Sequence, residues 1–266
     1  MIVRVVTSLI GAPLILAAVY YGGIPFLLLV LGLAIVAVNE FYNLMMKKGL
    51  FPAYYVGNII TGFFIVFSYY ALKRNWEPAH SAILTLAAAL ALISGVFLKR
   101  EKDTLVDVAV TILGMIYVGW FFSYLIFIRG LTDHGGYLFF LMFTIWAMDI
   151  AAYLAGKFLG HTPLAPSISP KKTWEGALAG FLVAMVAAMI LSQTAQLELS
   201  HALILGGLIG IFGQLSDLVE SLIKRDAGEK DSSNILPGHG GVLDRIDSFV
   251  LTAPLMYYYV ILFVIK

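Results

Sequence analysis

Runs of about 20 mostly apolar residues, each long enough to cross the hydrocarbon core of a bilayer as a helix, follow one another along almost the whole chain. Nine segments reach that length: Ile2–Tyr21, Ile24–Met46, Ala53–Leu72, Ser81–Leu98, Val106–Ile128, Tyr137–Gly156, Thr173–Leu191, His201–Ile223 and Arg245–Ile265. Gly22-Gly23 and Pro25 separate the first two, and the fourth is short, so a count of eight is also open. Of the 266 residues, 61% are hydrophobic and 12% charged, against about 45–50% and 25% in soluble domains. The expected fold is therefore all-α: a polytopic bundle of about nine transmembrane helices in a lipid bilayer. The apolar N-terminus lacks a convincing small-residue cleavage site and reads as the first span, not as a signal peptide. No basic, aromatic-interleaved patch suggests a nucleic-acid partner. The lack of cysteine excludes disulfides and thiolate metal sites.

Most connections are too short for a soluble domain. The exceptions are two polar loops, Lys157–Lys172 and Lys224–Asp244. We expect residues 1–134 to form scaffold helices and residues 135–266 a catalytic region carrying the loops 157–172 and 224–244. With nine spans, one side of the membrane carries 13 basic residues: Arg4, Lys47, Lys48, Lys99, Arg100, Lys102, Lys157, Lys171, Lys172, Lys224, Arg225, Lys230 and Arg245. The other carries four: Lys73, Arg74, Arg129 and Lys266. The positive-inside bias puts the N-terminus and both polar loops in the cytoplasm and the C-terminus outside.

Ionisable residues within spans are costly and point to function. Glu40, Asp149 and Asp217 each precede a lysine by seven or eight residues, roughly 10–12 Å along a helix. The three carboxylates are expected in one layer beneath the cytoplasmic surface. Glu40 is equally open to a plain reading, a buried acid bonded to Asn39, Asn43 or a neighbouring helix. Asp149 has Tyr153 at i+4 as a local partner. Asp217, Glu220, Ser221 and Lys224 share one helix face, and Gly206, Gly210 and Gly213 continue it inward. Small residues at that spacing let another helix approach closely. The wall of a buried site and the lining of a channel both fit that face.

In the first loop, Lys171 and Lys172 stand just before a helix start, with Thr173 as its N-cap. Two ammonium groups beside free helix N–H groups suit an anion; lysines snorkelling beside Trp174 as a membrane anchor are the alternative. The second loop holds Pro237-Gly238-His239-Gly240-Gly241 and leads into Asp244 and Asp247, three residues apart. Glycine turns can aim successive N–H groups at a phosphate. Asp217 and Asp231 lie nearby in the chain. Oxygen-only ligands fit Mg²⁺ better than zinc. Lysines, glycine turns and carboxylates at a membrane interface describe a site that handles phosphates through Mg²⁺.

At these residues the chain resembles the phosphatidate cytidylyltransferase (CDP-diacylglycerol synthase) family. The resemblance is carried by Ser221, Lys224-Arg225, Lys230-Asp231, Pro237-Gly238-His239-Gly240-Gly241 and Asp244-Arg245 with Asp247. A second block runs from Ser169-Pro170-Lys171-Lys172-Thr173 to Glu175-Gly176, and Asp149 with Tyr153 and Gly156 also fits. Ser232-Ser233 stands where relatives often carry a glycine. The resemblance implies transfer of CMP from CTP to phosphatidic acid, giving CDP-diacylglycerol and pyrophosphate. It implies a Mg²⁺ centre, of the two-metal kind, with Asp217 and Asp244 as first ligands and Asp247 and Asp231 behind them. Lys171, Lys172, Lys224 and Arg225 are then expected to hold phosphates, with Ser169, Thr173, Lys230, Gly240, Gly241 and Arg245 lining the substrates. His239 is expected to position phosphate or transfer a proton. A bacterial inner membrane, with the site facing the cytoplasm, is the implied location, and a homodimer is compatible with it. A CTP-dependent polyprenol or lipid kinase and a cation-coupled transporter are the competing readings.

Overall fold

The computed structural model describes residues 2–74, 76, 79–97, 103–236, 238 and 240–265; the side chains of residues 2–8 and 10 lie outside that description. The chain runs through helices α1 (Ile2–Tyr21), α2 (Gly23–Lys47), α3 (Tyr54–Arg74), α4 (Ala79–Phe97) and α5 (Thr104–Gly130). After α6 (Gly136–Leu159) come strands β1 (Pro163–Ala165) and β2 (Ser169–Thr173), then α7 (Trp174–Leu191), α8 (Leu199–Asp226) and α9 (Leu243–Tyr259). Each expected span corresponds to one helix. Among the described residues those from α2 to α9, with α7 continued to Ala195 and α9 to Val264, are eight segments long and apolar enough to cross a membrane, and α1 has the bounds of the remaining expected segment. Their outward faces are greasy: α4 exposes Leu86, Leu90, Ile93 and Phe97, a stripe that water would disfavour and lipid accommodates. The protein is an integral membrane protein with an all-α polytopic fold.

Helix breaks follow local chemistry. Gly22 and Gly23 both take positive φ between α1 and α2, a region closed to most other residues. Pro25 then falls in the first turn of α2, where its missing N–H does no harm. Among the described residues β1 and β2 form an antiparallel hairpin, with Pro163 paired to Thr173 and Ala165 to Ser169. It lies in a stretch the sequence suggested only as a polar loop. The second polar loop is shorter than expected, because α8 continues through Lys224 and Arg225 to Asp226. Lys224 pairs with Glu220 one turn back, at 2.5 Å, and basic groups favour a helix C-terminus.

The chain divides into two compact units that do not follow the sequence halves. One holds the residues up to Phe127 together with Asp226–Ile246, the other Ile128–Arg225 and the residues from Asp247 onward. In the first unit, α2 supplies the buried core: Phe26, Val30, Ala34, Val38, Phe41 and Leu44. The Tyr42 ring lies where a Cβ on Gly57 or Gly114 would come within 2.5 Å of it, and its hydroxyl donates to the Thr111 carbonyl at 2.8 Å. Buried Asp107 accepts from Phe51 N–H at 2.6 Å, fixing the α2–α3 link. Within α5, Met115–Trp120 takes the wider π form, and the Trp120 ring stacks on buried His80 at 3.8 Å.

In the second unit, small residues set the spacing of α6, α7 and α8. A Cβ on Gly206 would lie 2.6 Å from Ala188 Cβ, one on Gly210 3.1 Å from Phe181 Cα, and one on Gly213 2.8 Å from Met148 Cε. The expected close approach along that stripe is present, and it uses two neighbours, α7 and α6.

Candidate active site

A cavity of about 530 Å³ opens in the second unit among α6, the hairpin, α7 and α8. Asp149, Tyr153 and Lys157 line it from α6, Lys171, Lys172 and Thr173 from β2, and Gln214 and Asp217 from α8. Thr173 is the N-cap expected of it: its Oγ1 accepts from Gly176 N–H at 3.2 Å. Glu175 reaches back in a way the sequence did not suggest, accepting from the N–H groups of His161 and Thr162 at 3.1–3.2 Å. That fold-back fixes the chain where it enters the hairpin, whose Lys171 and Lys172 line the cavity. Lys172 Nζ stands 2.6 Å from Asp217 Oδ2, with both side chains about a third exposed or less. Gln214 donates to the carbonyls of Ala177 and Gly210, at 3.1 and 2.6 Å, and so fixes α7 against α8.

Behind this pair three carboxylates converge. Asp217, Glu220 and Asp247 each bring an oxygen, and these oxygens lie within 4.8 Å of one another. Ser216 holds the α9 side in register, donating to the Asp247 carbonyl and accepting from Leu251 N–H. Lys172 pairs with Asp217 and Lys224 with Glu220. An oxygen-only donor set at this spacing fits a hard divalent cation. Glu220 was legible as a member of the Asp217 face and was not expected as a ligand; its i+3 spacing from Asp217 was the available signal.

The glycine loop belongs to the first unit. Buried Glu40 accepts four hydrogen bonds: from Ser232 Oγ at 3.0 Å, Ser233 Oγ at 2.6 Å, Val242 N–H at 3.0 Å and Leu243 N–H at 2.7 Å. Asp244 Oδ2 accepts from Ser232 N–H at 3.0 Å, Ser232 Oγ at 2.9 Å and Gly241 N–H at 2.8 Å. The plain reading of Glu40 looked to Asn39, Asn43 or a neighbouring helix, whereas its partners lie about 200 residues away, in the glycine loop and at the start of α9. At the end of the same helix, Lys47 pairs with Glu229 at 2.7 Å and Lys48 with Asp226 at 2.5 Å.

Of the residues singled out from the sequence, Ser169, Lys171, Lys172, Thr173, Asp149, Asp217, Lys224, Arg225 and Asp247 fall in the second unit. Arg225 is exposed and donates to the Ile168 carbonyl at 3.1 Å, bracing the hairpin turn. Lys230, Asp231, Gly240, Gly241, Asp244 and Arg245 fall in the first unit, with Lys230, Asp231 and Arg245 exposed. His239 and Pro237 lie outside the described residues.

Comparison with known proteins agrees with this chemistry. The cytidylyltransferase family pattern matches residues 2–263. The chain is similar to the phosphatidate cytidylyltransferase of Bacillus subtilis (strain 168), 36% identical over 263 residues that cover 98% of this chain and 97% of that protein. It is 35% identical over 291 aligned positions to the protein of that name from Synechocystis sp., covering 97% and 96% of the two chains. It is 33% identical over 261 to that of Staphylococcus aureus (strain COL), covering 96% of each. A lysine-lined cavity beside converging carboxylates, in a membrane protein whose nearly full length follows one family pattern, identifies this chain as a member of the cytidylyltransferase family, a nucleotidyltransferase.

Proposed function

We propose that the protein transfers the cytidylyl group of CTP to phosphatidate, forming CDP-diacylglycerol and pyrophosphate. A phosphate oxygen of the lipid attacks the α-phosphorus of CTP, and the bond from that phosphorus to the oxygen bridging to the β-phosphorus breaks. The attacking oxygen is already ionised near neutral pH, so the reaction needs no strong general base. The barrier is charge: two anions must meet, and negative charge grows on the leaving pyrophosphate. The observation that carries the reading is the convergence of Asp217, Glu220 and Asp247 beside a cavity lined by Lys157, Lys171 and Lys172.

In this reading Asp217, Asp247 and Glu220 would hold Mg²⁺, which would supply charge neutralisation at the transferring phosphate. Lys171 and Lys172 attract the phosphates. Lys224 pairs with Glu220 and holds it in place. Asp244, expected as a first metal ligand, shapes the glycine loop through Oδ2 and stays in the proposal as a residue the reaction requires; Gly240, Gly241, Lys230 and Arg245 line the nucleotide. The proposed site faces the cytoplasm, where CTP is available, from a bacterial inner membrane; the basic bias of the loops supports that side.

The test is incubation of the purified protein with phosphatidic acid in mixed micelles, labelled CTP and Mg²⁺, followed by identification of both products. CDP-diacylglycerol and pyrophosphate are expected. Labelled CDP with a newly phosphorylated lipid would instead make the protein a CTP-dependent lipid kinase, and the absence of any CTP-dependent lipid product would defeat the reading.

A further inference from the structure

We propose that Ser216, a buried hydroxyl on α8, is a positioning residue for the divalent cation: it bolts α8 to α9 and so sets the distance at which Asp247 meets Asp217 and Glu220. The inference rests on the reading that these three carboxyl groups hold a cation, and adds to it a residue that contributes no ligand of its own.

Ser216 is 0% exposed and directly precedes Asp217. Its Oγ donates to the Asp247 carbonyl and accepts from Leu251 N–H at 3.3 Å. Leu251 is four residues after Asp247, so in an α-helix these two backbone groups are partners of one another. The serine therefore reaches both ends of a single bond in the ladder of α9, and it does so from a different helix. The tie falls on a residue of the carboxyl cluster: Asp247 gives its carbonyl to Ser216 and its side chain to the site. That side chain is steadied locally as well, since its Oδ1 accepts from Ser248 N–H at 2.7 Å.

The same face of α8 shows why a bolt is needed at this level. Residues 213, 216 and 220 are spaced to share that face. Gly213 lies where a Cβ would be 3.7 Å from Thr252 Cγ2 of α9, so below Ser216 the two helices meet by packing. One turn beyond Ser216 stands Glu220, also 0% exposed, where the contact between the helices becomes carboxyl against carboxyl, with oxygens within 4.8 Å. The Ser216 bonds join uncharged groups. They hold α8 and α9 at this spacing whether a cation or a proton sits among the carboxyl groups. An arriving cation then finds its ligands already spaced, and none of its binding free energy goes into drawing two helices together.

The test uses purified full-length protein in detergent: wild type, Ser216→Ala, and the pair Ser216→Thr and Ser216→Val, which match in size and differ in the hydroxyl. Three measurements are made: Mn²⁺ binding by electron paramagnetic resonance, thermal unfolding, and turnover over a range of Mg²⁺ concentrations. Ser216→Ala is expected to stay folded, because Leu251 N–H and the Asp247 carbonyl keep each other as partners once the serine is gone. Its Kd for Mn²⁺ should rise about 10- to 100-fold, the range for losing a group that supports a metal ligand, and its Mg²⁺ requirement should rise in step. Saturating Mg²⁺ should return kcat to within about threefold of wild type, with KM for CTP within about twofold. A mere packing defect would lower kcat at every Mg²⁺ concentration. Ser216→Thr should bind Mn²⁺ more tightly than Ser216→Val. Wild-type Mn²⁺ affinity in Ser216→Ala, equal affinities in the Thr and Val variants, or a loss of turnover that excess Mg²⁺ does not restore would overturn the proposal. If Ser216→Ala does not fold, Ser216→Cys decides, since a thiol is a weaker donor and acceptor: wild-type affinity for Mn²⁺ rejects it. A wild type that binds Mn²⁺ and makes no CDP-diacylglycerol defeats the reaction assigned above and leaves the Ser216 comparison intact. One that binds no Mn²⁺ overturns this proposal together with the assigned ligands.

Discussion

Asp217 concentrates the residue-scale argument. It faces Lys172 at 2.6 Å on one side and the oxygens of Glu220 and Asp247 on the other. Asp217→Asn keeps the shape and removes the charge that both a cation and Lys172 require. Turnover should fall about 100-fold or more, the scale of losing one preorganised electrostatic contact, and Mn²⁺ binding measured by electron paramagnetic resonance should weaken in parallel. Near-wild-type turnover with an unchanged metal requirement would remove Asp217 from the site. The two lysines separate more finely. Lys171 is exposed in the cavity, whereas Lys172 is tied to Asp217. Lys171→Ala should raise KM with little effect on kcat, and Lys172→Ala should lower kcat as well. If the double variant keeps both constants, the pair is only a membrane anchor. Asp217 was legible in the sequence because an acid in an apolar run stands out. Glu40 stood out for the same reason, yet its partners did not: nothing local links residue 40 to residues 232–243, and one sequence carries no signal of pairing across that distance.

At the scale of elements, α8 carries the most. Its 28 residues span about 42 Å, more than the roughly 30 Å of hydrocarbon, so its last turns have length to spare beyond the apolar core. The glycine stripe lets it sit against α7 and α6, and Asp217, Glu220 and Lys224 continue that face toward the loop. Gly210→Leu should therefore act on packing first. A side chain there meets the Phe181 backbone at 3.1 Å, and overpacking of this kind costs about 1–3 kcal/mol. A lowered unfolding temperature in detergent, with activity lost in step, is the expected outcome. An unchanged midpoint would mean that α7 and α8 are not held by that contact. This stripe was readable from residue spacing. The hairpin was not, because Ser-Pro-Lys-Lys-Thr has neither alternation nor β-branched residues except at its end. It is held instead by the contacts of Glu175 with 161–162 and of Arg225 with Ile168, which come from later in the chain. The end of α8 was misplaced by three residues because Lys224-Arg225 reads as a loop start until Glu220 is seen as the partner of Lys224.

Across the whole molecule, hydropathy located each spanning helix of the described residues, because in lipid each spanning segment must satisfy its own backbone and therefore declares itself as a long apolar run. The compact units were less legible. Residues 226–246 join the first unit through Glu40, Lys47 and Lys48, contacts that hydropathy does not register. The side of the membrane on which each loop lies rests on charge alone: 13 basic residues against four, a bias that sets orientation when it falls in short loops near span ends. The absence of cysteine makes the orientation measurable. Ser167 in the hairpin turn, Asn234 in the glycine loop and Glu198 before α8 are all exposed and are not among the expected site residues. Single cysteines at Ser167 and Asn234 should react with a membrane-impermeant maleimide only after the cytoplasmic face is opened, and one at Glu198 should react in intact cells. An odd number of spans then separates the N-terminus from the C-terminus, so a reporter fused at residue 266 should lie outside. Labelling of Ser167→Cys and Asn234→Cys from opposite faces would break the topology, since α7 and α8 together must return the chain to the side it left.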